Sequence, residues 1–142
     1  MATASALGVV LVVDDDPLVC TLFSRVLALG GYTSIAASTA EEALTLLEDG
    51  LMPAAVLLDL VMPGMSGLAF LLHLRASARY RFVPVTIVTG DSLSGMDGRG
   101  SAVAALDASL TFKPLHSEEL LAVVGEMLGV PGEVRQAGTR AT

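Results

Sequence analysis

Apolar residues follow two different spacings along the chain. Some form short continuous runs that end at polar or turn-forming residues, a pattern typical of strands buried on both faces of a parallel sheet. The predicted strands are, in chain order, Val9–Val13, Ser34–Ala37, the run from Ala54 that ends at Asp59, the run from Phe82 or Val83 to Thr89, and Ser109–Phe112.

Other apolar residues recur every three or four positions, which predicts amphipathic helices between the strands. Asp16 and Pro17 begin the first helix as N-cap and first-turn residue, and Ser38 followed by Glu41 is a capping-box pattern for the second. The later helices are predicted from Ser66 or Gly67 to about Arg75, from about Ala102 to Asp107, and, with Ser117 as N-cap, to Leu128. In the first and third helices the apolar positions are Leu18, Val19, Leu22, Phe23, Val26 and Leu27, and Leu68, Leu71 and Leu72.

Strand and helix alternate five times, which predicts a parallel sheet with helices on both faces and right-handed crossovers. The expected fold class is α/β, a three-layer flavodoxin-like (βα)5 arrangement with a five-stranded parallel sheet in the order 2-1-3-4-5. In that order the first and third strands are neighbours at the topological switch point, where open α/β sheets bind ligands.

Composition excludes several function classes. The formal net charge is −7, without the basic patch that direct nucleic-acid binding needs. Hydrophobic residues make up 53% of the chain, yet the longest apolar runs hold about five residues against the roughly 20 of a membrane span. No secretory signal is expected. The one cysteine, Cys20, reads as a buried small hydrophobe and suits a reducing, cytoplasmic compartment.

Four of the five predicted strands end in polar side chains, which the parallel arrangement brings to one edge of the sheet. These residues are Asp14 and Asp15, Asp59, Thr89 and Lys113. Three converging carboxylates would repel one another unless a cation lay among them, and oxygen ligands with open positions suit Mg²⁺. An aspartate nucleophile, a divalent cation, a lysine and a hydroxyl together form a site that can accept a phosphoryl group.

Four motifs in this order resemble one known family. They are the Val12–Pro17 segment VVDDDP, the Leu58–Gly67 segment LDLVMPGMSG, Pro84–Thr89, and Phe112-Lys113-Pro114. Their order and spacing are similar to those of the receiver domain of bacterial two-component response regulators, the CheY-like family. The resemblance covers residues 8–128, so residues 1–7 and 129–142 are expected to be flexible termini.

The resemblance implies that Asp59 receives a phosphoryl group from a sensor histidine kinase or a histidine phosphotransfer protein. The metal ligands that it implies are Asp15, Asp59 and the Val61 backbone carbonyl directly, and Asp14 through water. Thr89 is expected to move toward the phosphoryl group and Lys113 to pair with it, with the Lys113–Pro114 bond cis. The chain is expected to act as a stand-alone receiver that switches the binding of an unknown downstream protein.

Two features differ from the family pattern. Leu110 occupies a strand position where an aromatic residue is usual, and the segment 92–101 is rich in Gly and Ser where a helix usually begins. We hypothesise that phosphorylation orders this segment, which hydrogen exchange with and without a phosphoryl mimic would test. Two alternative functions stay open: a pseudo-receiver that binds partners without phosphorylation, and an Asp-nucleophile phosphatase. The phosphatase would require an acid at the position of Val61.

Overall fold

Five parallel strands form the centre of the molecule in a computed structural model that describes residues 8–90 and 103–129. The strands are β1 (Val9–Val13), β2 (Thr33–Ala37), β3 (Ala55–Leu58), β4 (Val85–Thr89) and β5 (Ser109–Phe112). They are hydrogen-bonded in the order β2-β1-β3-β4-β5, and all four neighbouring pairs are parallel. The predicted fold class and strand order are therefore confirmed.

Helices connect the strands and cover both faces of the sheet. They are α1 (Pro17–Leu29), α2 (Ala40–Glu48), α3 (Gly67–Ala76) and α5 (Ser117–Leu128). Residues 103–105 are also helical, and we call this segment α4. Among the described residues, no helix combines the length and the apolar character needed to cross a membrane.

The side chains of the three central strands, β1, β3 and β4, alternate between two hydrophobic cores. Leu11, Leu58 and Ile87 pack with residues of α2 and α3 on one face of the sheet. Val12 and Val88 pack with residues of α1 and α5 on the other face. Because both faces of the central strands are buried, their sequences are continuously apolar instead of alternating.

Several predicted details are wrong. β4 begins at Val85, later than predicted, because Phe82 is 84% exposed in a turn and Pro84 lacks an amide donor. Two N-caps differ by one residue from the prediction. That of α2 is Thr39 instead of Ser38, and its side chain accepts from the backbone N–H of Glu42. That of α5 is His116 instead of Ser117. Three apolar positions of the helical patterns are exposed, namely Leu18, Leu22 and Leu72.

One arginine fixes the end of α4 to the rest of the domain. The Arg75 guanidinium, at the end of α3, donates to the carbonyls of Leu106 (2.7 Å) and Asp107 (3.0 Å), which follow α4. It also donates to the carbonyls of Arg81 (3.1 Å) and Val83 (2.7 Å), just before β4. The side chain therefore supplies partners for carbonyls that a helix end leaves unsatisfied.

The predicted termini and the Gly/Ser-rich segment lie outside the described residues, apart from Gly129. That glycine is the C-cap of α5 and has a left-handed backbone with φ of 67°. The hypothesis that phosphorylation orders residues 92–101 therefore stays a prediction, and so do the domain boundaries.

Candidate functional site

The acidic residues of the candidate site are positioned by backbone pairing that continues one residue beyond each strand. The Asp59 N–H, directly after β3, donates to the Val13 carbonyl at 2.8 Å. The Asp14 N–H, directly after β1, donates to the Ala37 carbonyl at 3.1 Å. Both carboxylates are therefore fixed at the same edge of the sheet, as the alternation of strands and helices predicted.

Lys113 directly follows β5, the outermost strand on the side opposite β2, and reaches the same edge of the sheet. Its backbone N–H donates to the Thr89 carbonyl at 2.9 Å, and its peptide bond to Pro114 is cis. Its ammonium group lies 2.9 Å from Asp14 Oδ2 and 3.8 Å from Asp59 Oδ2. The lysine therefore bonds Asp14 directly and lies close to Asp59.

Three carboxylates converge beside this lysine. Asp14 and Asp59 are buried, Asp15 is exposed, and each offers an oxygen within 4.8 Å of the others. Such a group of oxygen ligands, with one side open to solvent, fits a hard divalent cation. Asp14 already accepts hydrogen bonds on both of its oxygens, from Lys113 and from the Asp16 N–H at 2.9 Å.

The electrostatics of Asp59 reflect its crowded surroundings. Burial is the main cause that raises its pKa to about 6, and the charge of Asp14 adds to the rise. Lys113 and the Val61 N–H, which donates to Asp59 Oδ1 at 3.4 Å, lower the pKa only in part. Negative charge at this site is therefore only partly compensated by the protein itself, and a bound cation would complete the compensation.

The carboxylates that surround Asp59 also change the pKa of Lys113. Burial lowers the pKa of its ammonium group, but the hydrogen bond to Asp14 and the charges of Asp14 and Asp59 outweigh burial, so the net pKa is raised. Lys113 is therefore positively charged at neutral pH and keeps a fixed cationic group beside Asp59.

The remaining predicted residues lie around this cluster. Thr89 is the last residue of β4 and is buried. Val61 follows Asp59 by two residues and is 50% exposed. Asp16 is the N-cap of α1, as predicted, and its carboxylate accepts from the Leu18 N–H at 2.9 Å. Cys20 is buried, as predicted, and its thiol donates to the Asp14 carbonyl at 3.3 Å.

A comparison with protein-family models decides the family. The model described as the response regulator receiver domain matches residues 10–125. The chain belongs to this family. As a receiver domain of two-component systems, it is similar to the curated transcriptional regulatory protein YrkP of Bacillus subtilis, 36% identical over 115 residues, which are 81% of this chain and 47% of that protein.

Other receivers give the same result. Response regulator Rre1 of Synechocystis is 33% identical over 132 residues, covering 92% of this chain and 56% of Rre1. The crystallised chemotaxis protein CheY4 of Vibrio cholerae is 26% identical with a TM-score of 0.76, covering 85% of this receiver and 98% of CheY4. This receiver spans about half the length of the curated relatives that it matches.

Sequence reasoning missed one residue that contacts the loop between β3 and α3. The sequence pattern assigns Glu41 to the capping box of α2, but it is Glu42 whose N–H bonds the N-cap Thr39 and whose carboxylate accepts from the Ser38 N–H at 2.8 Å. Glu41 instead accepts from the Met65 N–H at 3.0 Å. Ser38 with Glu41 and Thr39 with Glu42 both fit the capping-box spacing, so only the tertiary contact distinguishes the two glutamates.

Proposed function

We propose that this receiver accepts a phosphoryl group on Asp59 and thereby switches the binding of a downstream protein. The proposed donor is a sensor histidine kinase or a histidine phosphotransfer protein in the cytoplasm. The observation that carries the proposal is the position of Asp59, buried at the sheet edge with Asp14 and Asp15 close by and the Lys113 ammonium 3.8 Å away. Neither donor nor downstream partner requires contact with nucleic acid, in keeping with the net charge of −7.

The proposed reaction is a transfer between two nucleophiles. A carboxylate oxygen of Asp59 attacks the phosphorus of a phosphohistidine, an O–P bond forms and the N–P bond breaks. The bonding electron pair leaves with the imidazole nitrogen, and the ring departs neutral because its other nitrogen keeps its proton. Lys113 supplies a positive charge for the transferred phosphoryl oxygens, and the Thr89 hydroxyl supplies a hydrogen-bond donor.

Asp15, Asp59 and the Val61 carbonyl would hold Mg²⁺ directly, and Asp14 would hold it through water. The bound ion would supply charge neutralisation for the phosphoryl oxygens. The occupied oxygens of Asp14 support its indirect role, because Lys113 and Asp16 already bond them. Asp15 supports a direct role because it is exposed and one of its carboxylate oxygens lies within 4.8 Å of those of Asp14 and Asp59.

Acetyl phosphate with Mg²⁺ tests the proposal. We expect intact-protein mass spectrometry to detect one added phosphoryl group, and we expect it to be lost in Asp59→Asn and in the presence of EDTA. Absence of incorporation would favour the pseudo-receiver. Sustained hydrolysis of added phosphoesters would favour the phosphatase. Receivers generally perform no substrate turnover beyond their own phosphorylation and dephosphorylation, so we expect no sustained hydrolysis.

The second residue after Asp59 provides a further prediction. Val61 is half exposed beside the acceptor and has no polar group to orient an attacking water. We expect Val61→Asn to speed the loss of the phosphoryl group about 2- to 10-fold, the rate equivalent of one ordinary hydrogen bond. Release of inorganic phosphate from the phosphorylated protein measures the rate, with Val61→Ala as the apolar control. Equal decay of the Val61→Asn and Val61→Ala proteins would refute the prediction.

A further inference from the structure

Glu41 joins α2 to the loop that follows the phosphoryl acceptor. It is exposed in the first turn of α2, and its Oε2 accepts from the Met65 N–H at 3.0 Å, across 24 residues of sequence. Gly64, next to Met65, has φ of 75°, and a Cβ added there would lie 2.9 Å from the same Oε2 atom. The glutamate therefore packs closely against the loop as well as bonding it.

This loop, residues 60–66, makes few hydrogen bonds to the rest of the described structure, although Leu60 and Met62 are buried in the core. At its base the Gly67 N–H donates to the Leu60 carbonyl at 3.0 Å. At its tip the bond from Met65 to Glu41 is the one hydrogen bond to a side chain of another helix or strand among the described residues. Between these two points, the Val61 N–H donates to Asp59 Oδ1 at 3.4 Å. The position of the loop thus affects how the Asp59 carboxylate is oriented.

We propose that Glu41 is a positioning residue for the Asp59 site. By accepting from Met65, it holds the loop where the Val61 N–H meets Asp59 and where the three carboxylates converge. This inference rests on the proposed function, because a fixed Asp59 carboxylate would serve both cation binding and phosphoryl acceptance. If Glu41 acts through its hydrogen bond, an amide carbonyl in place of the carboxylate would preserve the effect. If it acts through its negative charge, the same replacement would abolish the effect.

Three variants separate these possibilities. Glu41→Ala removes both hydrogen bond and charge, and Glu41→Gln keeps an acceptor without the charge. Glu48→Ala is the matched control, because Glu48 is exposed on the same helix and accepts no hydrogen bond in the part of the chain that the structure describes. The readouts are amide hydrogen exchange at Met65 and Val61, and the Kd for Mg²⁺ by calorimetry, both without phosphodonor.

In Glu41→Ala we expect faster exchange at both amides and a Kd for Mg²⁺ raised about 2- to 10-fold, the size of one hydrogen bond. Glu41→Gln and Glu48→Ala are expected to stay within twofold of the parent. Unchanged Val61 exchange or an unchanged Kd in Glu41→Ala would overturn the proposal, and so would a Glu41→Gln protein as impaired as Glu41→Ala. Neither readout depends on phosphorylation. Failure of acetyl phosphate to label Asp59 would therefore refute the proposed function alone. If Mg²⁺ did not bind either, amide hydrogen exchange at Val61 in Glu41→Ala would decide the role of Glu41.

Discussion

Asp59→Asn is expected to stabilise the unphosphorylated, Mg²⁺-free protein at pH 7 by about 1–3 kcal/mol. Burial and the charge of Asp14 raise the pKa of Asp59 from 3.8 to about 6, so its ionised form is less favourable in the folded state than in the unfolded chain. Asparagine has nearly the same shape and carries no charge. It therefore removes the cost of burying a charge and the repulsion from Asp14 while filling the same space.

The sign of the pH dependence follows from this raised pKa. Between pH 3.8 and about 6 the folded protein holds a proton on Asp59 that the unfolded chain has released, so the free energy of unfolding falls as pH rises through this window. Below the window both states are protonated and Asp59 costs nothing. Above it the full cost is present, so the advantage of Asp59→Asn should be small near pH 4 and complete at pH 7.

Urea unfolding followed by circular dichroism, with EDTA, measures the difference across this pH range. Asp15→Asn is the matched control in the same cluster, and we expect a smaller gain because the exposed Asp15 carboxylate stays hydrated. Saturating Mg²⁺ should reduce the advantage of Asp59→Asn, because the ion would stabilise the parent protein by binding its folded state. An Asp59→Asn protein that is less stable than the parent at pH 7 would contradict the raised pKa.

The strand order and the residues of the site could be predicted from the sequence because both depend on one-dimensional patterns. Apolar runs mark buried strands, and parallel strands place the residues that follow them at one edge, so Asp14 and Asp59 had to meet. The resemblance of the motifs added what spacing alone does not contain, including the expected cis bond before Pro114. The distances from Lys113 to the carboxylates then place the lysine in the same cluster.

Other features depend on tertiary contacts that leave little trace in the sequence. Apolar residues surround much of α1, so the pattern does not reveal that Phe23 faces inward while Leu22 faces solvent. The contact of Glu41 with the loop after β3, and the four carbonyls bound by Arg75, join segments far apart in the chain. A charged residue at a helix end is common, so neither side chain was distinguishable by type or spacing.

The second large effect is expected at Gly67, the first residue of α3, because α3 begins there directly against the backbone of Asp59 and Leu60. A Cβ added at Gly67 would lie 2.1 Å from the Asp59 carbonyl oxygen and 2.8 Å from the Leu60 Cα. Both are backbone atoms and cannot move aside as a flexible side chain can. We expect Gly67→Ala to lower the free energy of unfolding by about 3 kcal/mol, the upper end of the usual cost of overpacking, and to slow labelling of Asp59 by acetyl phosphate.

Gly90→Ala separates this clash from a general cost of replacing glycine near the site. Gly90 directly follows Thr89, yet a Cβ there would meet no atom of the described residues within 4 Å. Urea unfolding and labelling should therefore be close to those of the parent in Gly90→Ala and both impaired in Gly67→Ala. Labelling is compared without urea, where both variants are folded. A slower rate in Gly67→Ala then reports displacement of the Asp59 backbone in the folded state and not unfolding. A Gly67→Ala protein with parental stability and labelling would show that the loop after β3 can shift without moving Asp59, and that the close approach of α3 does not position the acceptor.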